Sequence, residues 1–149
     1  MLEIRKGQHQ DISAIADFQV KMAKETEDYD LDRSTVLKGV KRILDEPARG
    51  YYLLSEVEDK VIASKLILFE WSDWRNGEVL WIHSLYVLPE YRGKGIFRKM
   101  YDKLKQEVEE NSNYRGIRLY VEKANTKAQK VYDAIGMTNE HYDMYEWLK

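Results

Sequence analysis

The chain has 149 residues, 44% of them hydrophobic, which is enough for one domain with a real core. Its net charge of −2 argues against a nucleic-acid binder, and no apolar run is long enough to span a bilayer. There is no cysteine, so no disulfide framework is possible. Three scattered histidines supply no structural zinc set. With no signal-peptide pattern at Met1–Gln10, these features fit a cytoplasmic, metal-free protein folded as a single domain over residues 1–149.

Leu2–Arg5 reads as a short strand. Asp11 is placed to cap a helix whose Ile12, Ile15, Phe18, Gln19 and Met22 share a face. The connecting segment Lys24–Asp32 carries carboxylates at Glu25, Glu27, Asp28, Asp30 and Asp32. Asp32 can cap a second helix with Val36, Leu37, Val40, Ile43 and Leu44 inside, ended by Pro47 and Gly50. Tyr51–Val57 and Val61–Phe69 read as strands joined by a turn at Glu58–Lys60. A loop over Glu70–Gly77 follows, and its Asn76-Gly77 pair is a strong turn signal. Leu80, Trp81, Ile82, Leu85, Tyr86 and Val87 then form a strand that Pro89, lacking an N–H, stops.

Gly93 and Gly95 allow a tight loop with close backbone approach. Beyond it Ile96, Phe97, Met100, Tyr101, Leu104 and Val108 recur at helical spacing. A further strand runs Ile117–Glu122. Asn125 or Thr126 starts a short helix with Ala128, Val131, Tyr132 and Ile135 on one side and Gly136 as its cap. Met144, Tyr145 and Trp147 predict a last strand. The order β, α, α, β, β, β, α, β, α, β is an α+β pattern, α/β/α layered around one mixed sheet.

The passage from strand through glycine loop to helix reads as an anion site, the bland alternative being a solvated surface helix with an arbitrary charge order. The first N–H groups of a helix have no partner within it, and the helix dipole adds positive potential there. The charge order agrees: Lys94, Arg98 and Lys99 crowd the helix start and Glu107, Glu109 and Glu110 its end, the reverse of what the dipole prefers unless an anion sits at the start. The dinucleotide fingerprint fails because Arg98 stands where its third glycine should be, and the P-loop pattern is absent.

What matches is Val87-Leu-Pro-Glu-Tyr-Arg92-Gly93-Lys94-Gly95-Ile96-Phe97, which resembles the signature of the GNAT superfamily of acyl-CoA N-acyltransferases. The family pattern is Gln/Arg-x-x-Gly-x-Gly/Ala after a strand ending in Val-x-Pro. Phe97 departs from it, standing where a small residue is usual. Asn125-Thr-Lys-Ala128-Gln-Lys-Val-Tyr132-Asp-Ala-Ile-Gly136-Met137 is similar to the family's Asn-x-x-Ala-x-x-x-Tyr-x-x-x-Gly-Phe segment. The resemblance implies a mixed, mostly antiparallel central sheet with flanking helices, and acetyl-CoA as acyl donor. It assigns the diphosphate to the backbone of Arg92–Phe97 and the pantetheine arm to Leu85, Tyr86 and Val87. Asn125 would hold the pantetheine region or a water near it. It further implies that the two central strands splay apart beside the arm, which the residues do not themselves show.

Acetyl transfer needs a neutral amine, a stabilised oxyanion and a proton for the leaving thiolate. Tyr132 is the candidate general acid, or else an amphipathic core tyrosine. His83, where many family members carry glutamate, is either a base for the ammonium or a half-buried histidine facing a helix. The acceptor would be met by Glu25, Asp28, Tyr29, Trp71 and Trp74, since carboxylates pair with ammonium and an indole face attracts a cation. The bland alternative is a solvated acidic turn and tryptophans packed on the core. The expected partner is therefore a small-molecule or peptide amine, neither nucleic acid nor membrane, with a homodimer left open. A regulatory acyl-CoA-binding or partner-binding module without catalysis is the other class, and the presence of both Tyr132 and Asn125 speaks against it.

Overall fold

The computed structural model describes every residue, Met1–Lys149. Five strands form one sheet: β1 (Leu2–Lys6), β2 (Gly50–Val57), β3 (Lys60–Ser72), β4 (Gly77–Val87) and β5 (Tyr114–Arg118). Four helices accompany them: α1 (Ile12–Glu27), α2 (Arg33–Asp45), α3 (Ile96–Glu110) and α4 (Thr126–Ala134). The strands lie in sequence order. All neighbours are antiparallel except β4 and β5, which run parallel with α3 between them. This is the mixed, mostly antiparallel α+β sheet the sequence predicts. No helix is long and apolar enough to cross a membrane.

Both faces of the sheet are covered, as the alternation along β2 shows. Tyr52 and Leu54 pack with Ile15 of α1 and Val40 of α2. Leu53 between them packs with Ile96 and Met100 of α3, and the Tyr51 hydroxyl donates to Glu107 of α3 at 2.6 Å. The β2–β3 turn is the two residues Glu58 and Asp59, both with positive φ, the handedness a two-residue hairpin requires. The Asn76-Gly77 signal marks the β3–β4 turn. Asn76 has φ 49°, and a Cβ on Gly77 would meet the Asn113 carbonyl at 2.7 Å, so only glycine fits.

Several boundaries differ from expectation. α1 continues to Glu27, so Glu25 belongs to its last turn and not to a free acidic loop. Asp11 stands at the head of α1, but its carboxylate is occupied by the Arg5 guanidinium at 2.8 Å and the Gln8 N–H at 2.8 Å and does not cap the helix. β3 runs on to Ser72, because it pairs with β4 down to Ser72↔Gly77; most of the expected loop is therefore hairpin. β5 is Tyr114–Arg118 in place of Ile117–Glu122, since its pairing with β4 begins at Glu78↔Tyr114 and ends at Trp81↔Arg118. No strand forms at Met144–Trp147, which is irregular backbone in the structure. By contact the chain resolves into two compact units, Met1–Arg118 and Leu119–Lys149.

Candidate functional site

β4 carries the site. On one edge it pairs with β3 along its length, but Ser64↔Tyr86 and Leu66↔His83 are separated by two residues on β3 and three on β4. Ser84, at φ 51°, is the extra residue of a β-bulge. A bulge shifts the alternation by one, so His83 and Tyr86 lie on the same face of the sheet. That face is α1's, for the Tyr86 ring packs on Phe18 with centroids 5.2 Å apart. A serine held in the left-handed region costs about 1–2 kcal/mol, and strain of this kind concentrates at functional positions. On its other edge β4 pairs with β5 from Glu78 to Trp81, and the β5 pairing does not reach Leu85–Val87. This is the splay the resemblance implied. Beyond the end of β5, the outward peptide groups of Leu85–Val87 can meet another extended, hydrogen-bonding chain.

The open edge runs directly into the glycine loop. Pro89–Tyr91 form a single 3-10 turn, followed by Arg92 and the loop Gly93-Lys94-Gly95. Gly93 and Gly95 take φ values of 72° and 74°, which disfavour any other residue, and nothing lies within 4 Å of where a Cβ would be. Arg92 to Gly95 are exposed, and no side chain caps the first turn of α3. The amides at the start of α3 therefore face an open surface beside Arg92 and Lys94. Ile96 is buried with Met100 in the core, whereas Phe97 is half-buried, its ring 6.3 Å from that of Tyr101. The bulky residue at 97 is thus accommodated beside α3's own second turn.

Leu85, Tyr86, Val87 and Arg92 meet in a cavity of about 270 Å³, walled on the opposite side by Met22, Glu25 and Thr26 of α1. Glu25 is the hub. It accepts from Arg92 at 2.7 Å and from the Tyr86 hydroxyl at 3.1 Å. Arg92 also donates through Nε to the Val87 carbonyl at 2.8 Å, and its guanidinium lies 5.3 Å from the Tyr86 ring centre. Arg92 holds the Glu25 carboxyl below the usual carboxylate range. Burial, with Glu25 adding to it, pushes the Tyr86 phenol up. Glu25 was expected to meet the acceptor amine as one carboxylate of an acidic run; here it is paired with Arg92. Its spacing after Phe18 and Met22, one helical face, is the signal that places it here.

His83, Asp28, Tyr29, Trp71 and Trp74 do not line this cavity. His83 is half-buried, its ring 6.1 Å from that of Trp81, and burial lowers its pKa below the ordinary 6.5. Asp28 takes the left-handed conformation at the end of α1 and pairs with Lys24 at 3.0 Å; Tyr29 is exposed. Trp71 and Trp74 are 61% and 88% exposed, so neither packs on the core. Glu70 beside them binds the Trp81 indole at 2.8 Å and Arg118 at 2.9 Å. In the C-terminal unit Asn125 caps α4, its side-chain oxygen accepting from the Ala128 N–H at 3.1 Å. Tyr132 is half-buried and burial raises its pKa.

An open strand edge continuing into exposed, uncapped helix amides matches a ligand with an amide-bearing arm and a phosphate head. The sequence profile of the acetyltransferase (GNAT) family matches residues 10–137. The chain belongs to this family. It is an acetyl-CoA-dependent N-acetyltransferase. A crystal structure described as a possible acetyltransferase from Clostridium difficile superposes on this GNAT protein with a TM-score of 0.94 and 43% identity, covering 100% of this chain and 98% of that one. A predicted acetyltransferase from Clostridium acetobutylicum, solved with acetyl-CoA, is 25% identical with a TM-score of 0.74, covering 100% and 95%. An uncharacterized N-acetyltransferase of Archaeoglobus fulgidus is 26% identical over 132 residues, 88% of this chain and 89% of that one.

Proposed function

We propose that this GNAT protein acetylates a primary amine of a small cationic metabolite or a peptide, by direct attack within a ternary complex. The observation that carries the reading is the Leu85–Val87 edge of β4, beyond the end of its pairing with β5, leading into the uncapped start of α3. We take the two compact units as one domain, a reading supported by a family match that crosses their boundary. Acetyl-CoA, when bound, supplies the activated acyl carbon and a thiolate leaving group.

In this reading the peptide groups of Leu85–Val87 hold the pantetheine arm as an added strand would, and the amides of Ile96 and Phe97 with Lys94 and Arg92 hold the diphosphate. Tyr132 protonates the departing thiolate, a role supported by burial that keeps its phenol protonated. His83 takes the proton of the ammonium; its lowered pKa favours the neutral, proton-accepting form at pH 7. Asp28, Tyr29, Trp71 and Trp74 face solvent and serve as the outer recognition surface for a cation. Thiol release from acetyl-CoA, measured across diamines, amino sugars, amino acid derivatives and lysine peptides, tests the proposal. An acetylated amine identified by mass spectrometry is the expected product; thiol release that no amine accelerates would refute it.

A further inference from the structure

Arg92 and Glu25 are close to the proposed cofactor track but engaged with each other. We propose that Glu25, Tyr86 and Arg92 form a latch that holds Arg92 across the track of the cofactor arm, and that the cofactor diphosphate opens it by taking Arg92 from Glu25. The inference rests on the acyl-CoA reading and adds to it a residue, Glu25, that sets cofactor affinity by competition.

Three observations support it. First, Arg92 makes two bonds that a bound cofactor would require it to leave: Nε to the Val87 carbonyl at 2.8 Å and a terminal nitrogen to Glu25 at 2.7 Å. The Val87 carbonyl belongs to the last residue of β4, beyond the end of its pairing with β5, so the guanidinium occupies a backbone acceptor that an added strand would use. Second, the contact is built from both sides. The other Glu25 oxygen is fixed by the Tyr86 hydroxyl at 3.1 Å, and Tyr86 is itself buried against Phe18 of α1. Glu25 is therefore aimed at Arg92 by the core and is not a chance surface contact. Third, Arg92 immediately precedes Gly93, where nothing crowds the backbone, so its side chain can turn toward the exposed amides of α3. A diphosphate offers two anionic groups and bidentate geometry where Glu25 offers one carboxylate oxygen, so exchange of partner favours the cofactor.

The test is calorimetric titration of coenzyme A into wild type, Glu25→Gln, Arg92→Gln and the double variant. Removing the competitor should tighten coenzyme A binding by about two- to fivefold in Glu25→Gln at low salt, the span of one exposed ion pair. The gain should shrink at high salt and vanish when Glu25→Gln is made in the Arg92→Gln background. If Glu25→Gln binds coenzyme A no more tightly than wild type, or if the gain persists without Arg92, the latch is wrong while the acyl-CoA reading stands. Failure of all four proteins to bind coenzyme A would overturn both.

Discussion

Lys65 lies on β3, paired with Leu53 of β2, and is fully buried beneath α3. Its ammonium nitrogen donates to the Met100 carbonyl at 2.9 Å, and desolvation pushes its pKa down to about 7 against the partial opposition of Glu107. The folded chain therefore releases this proton near pH 7, whereas the unfolded chain holds it to the ordinary 10.5. Between those values the unfolded state binds more protons, so stability must rise with pH. At 1.36 kcal/mol for each tenfold change the contribution is about 4 kcal/mol between pH 7 and pH 10. Lys65→Met keeps the length of the side chain and removes the titrating group, so the variant should lose this slope. At pH 7 it should be more stable by about 1–4 kcal/mol, the gain seen when buried charged groups give way to apolar residues of like volume. Urea unfolding followed by tryptophan fluorescence at pH 7, 8, 9 and 10 reads both effects, and the other lysines and the tyrosines cancel in the difference between the two proteins. Parallel curves for wild type and variant would show that Lys65 is solvated or otherwise neutralised, and the reasoning from its burial would fail.

Tyr132→Phe should lower kcat by roughly 10² with the fold unchanged by circular dichroism; turnover within twofold of wild type would remove the phenol from catalysis. For His83 the sign is opposite to that of an exposed histidine gaining a carboxylate. Its folded pKa is depressed, so kcat/KM should rise through an inflection below pH 6.5 that Gln at this position abolishes, and a profile unchanged in His83→Gln would exclude it as the base. Gly95→Ala should cost about 1–2 kcal/mol in urea unfolding, from backbone strain at φ 74° and not from a clash, and Gly95→Asn should recover part of the loss; an equal penalty for both would point to lost close approach instead. Trp74→Ala should change stability by less than about 0.5 kcal/mol, since the side chain is 88% exposed, while raising KM for the amine; a large drop in melting temperature would mean that the indole packs on the protein.

Local patterning was enough for the skeleton of this protein. Helical spacing located α1, α2, α3 and α4. β-branched and aromatic runs located β2, β3 and β4, and Gly93 and Gly95 placed the loop that adopts φ values of 72° and 74°. These are properties of neighbouring residues, which is why they can be read before anything folds. What depends on partners far away in the chain could not be read. The bulge at Ser84 arises from the register between β3 and β4, and the open edge of β4 from where β5 stops pairing, at Arg118. The expected strand at Met144–Trp147 had the right residues, yet these residues are irregular, because residue types alone do not supply the pairing a strand needs. Glu25 looked like a carboxylate for the acceptor amine until the fold set it against Arg92, 67 positions away, and Lys65 looked like an ordinary strand lysine until α3 closed over it. Residue types and spacing determine which elements form and which backbone turns are possible; only tertiary packing decides which charges are desolvated, which are paired and which backbone groups remain open for a ligand.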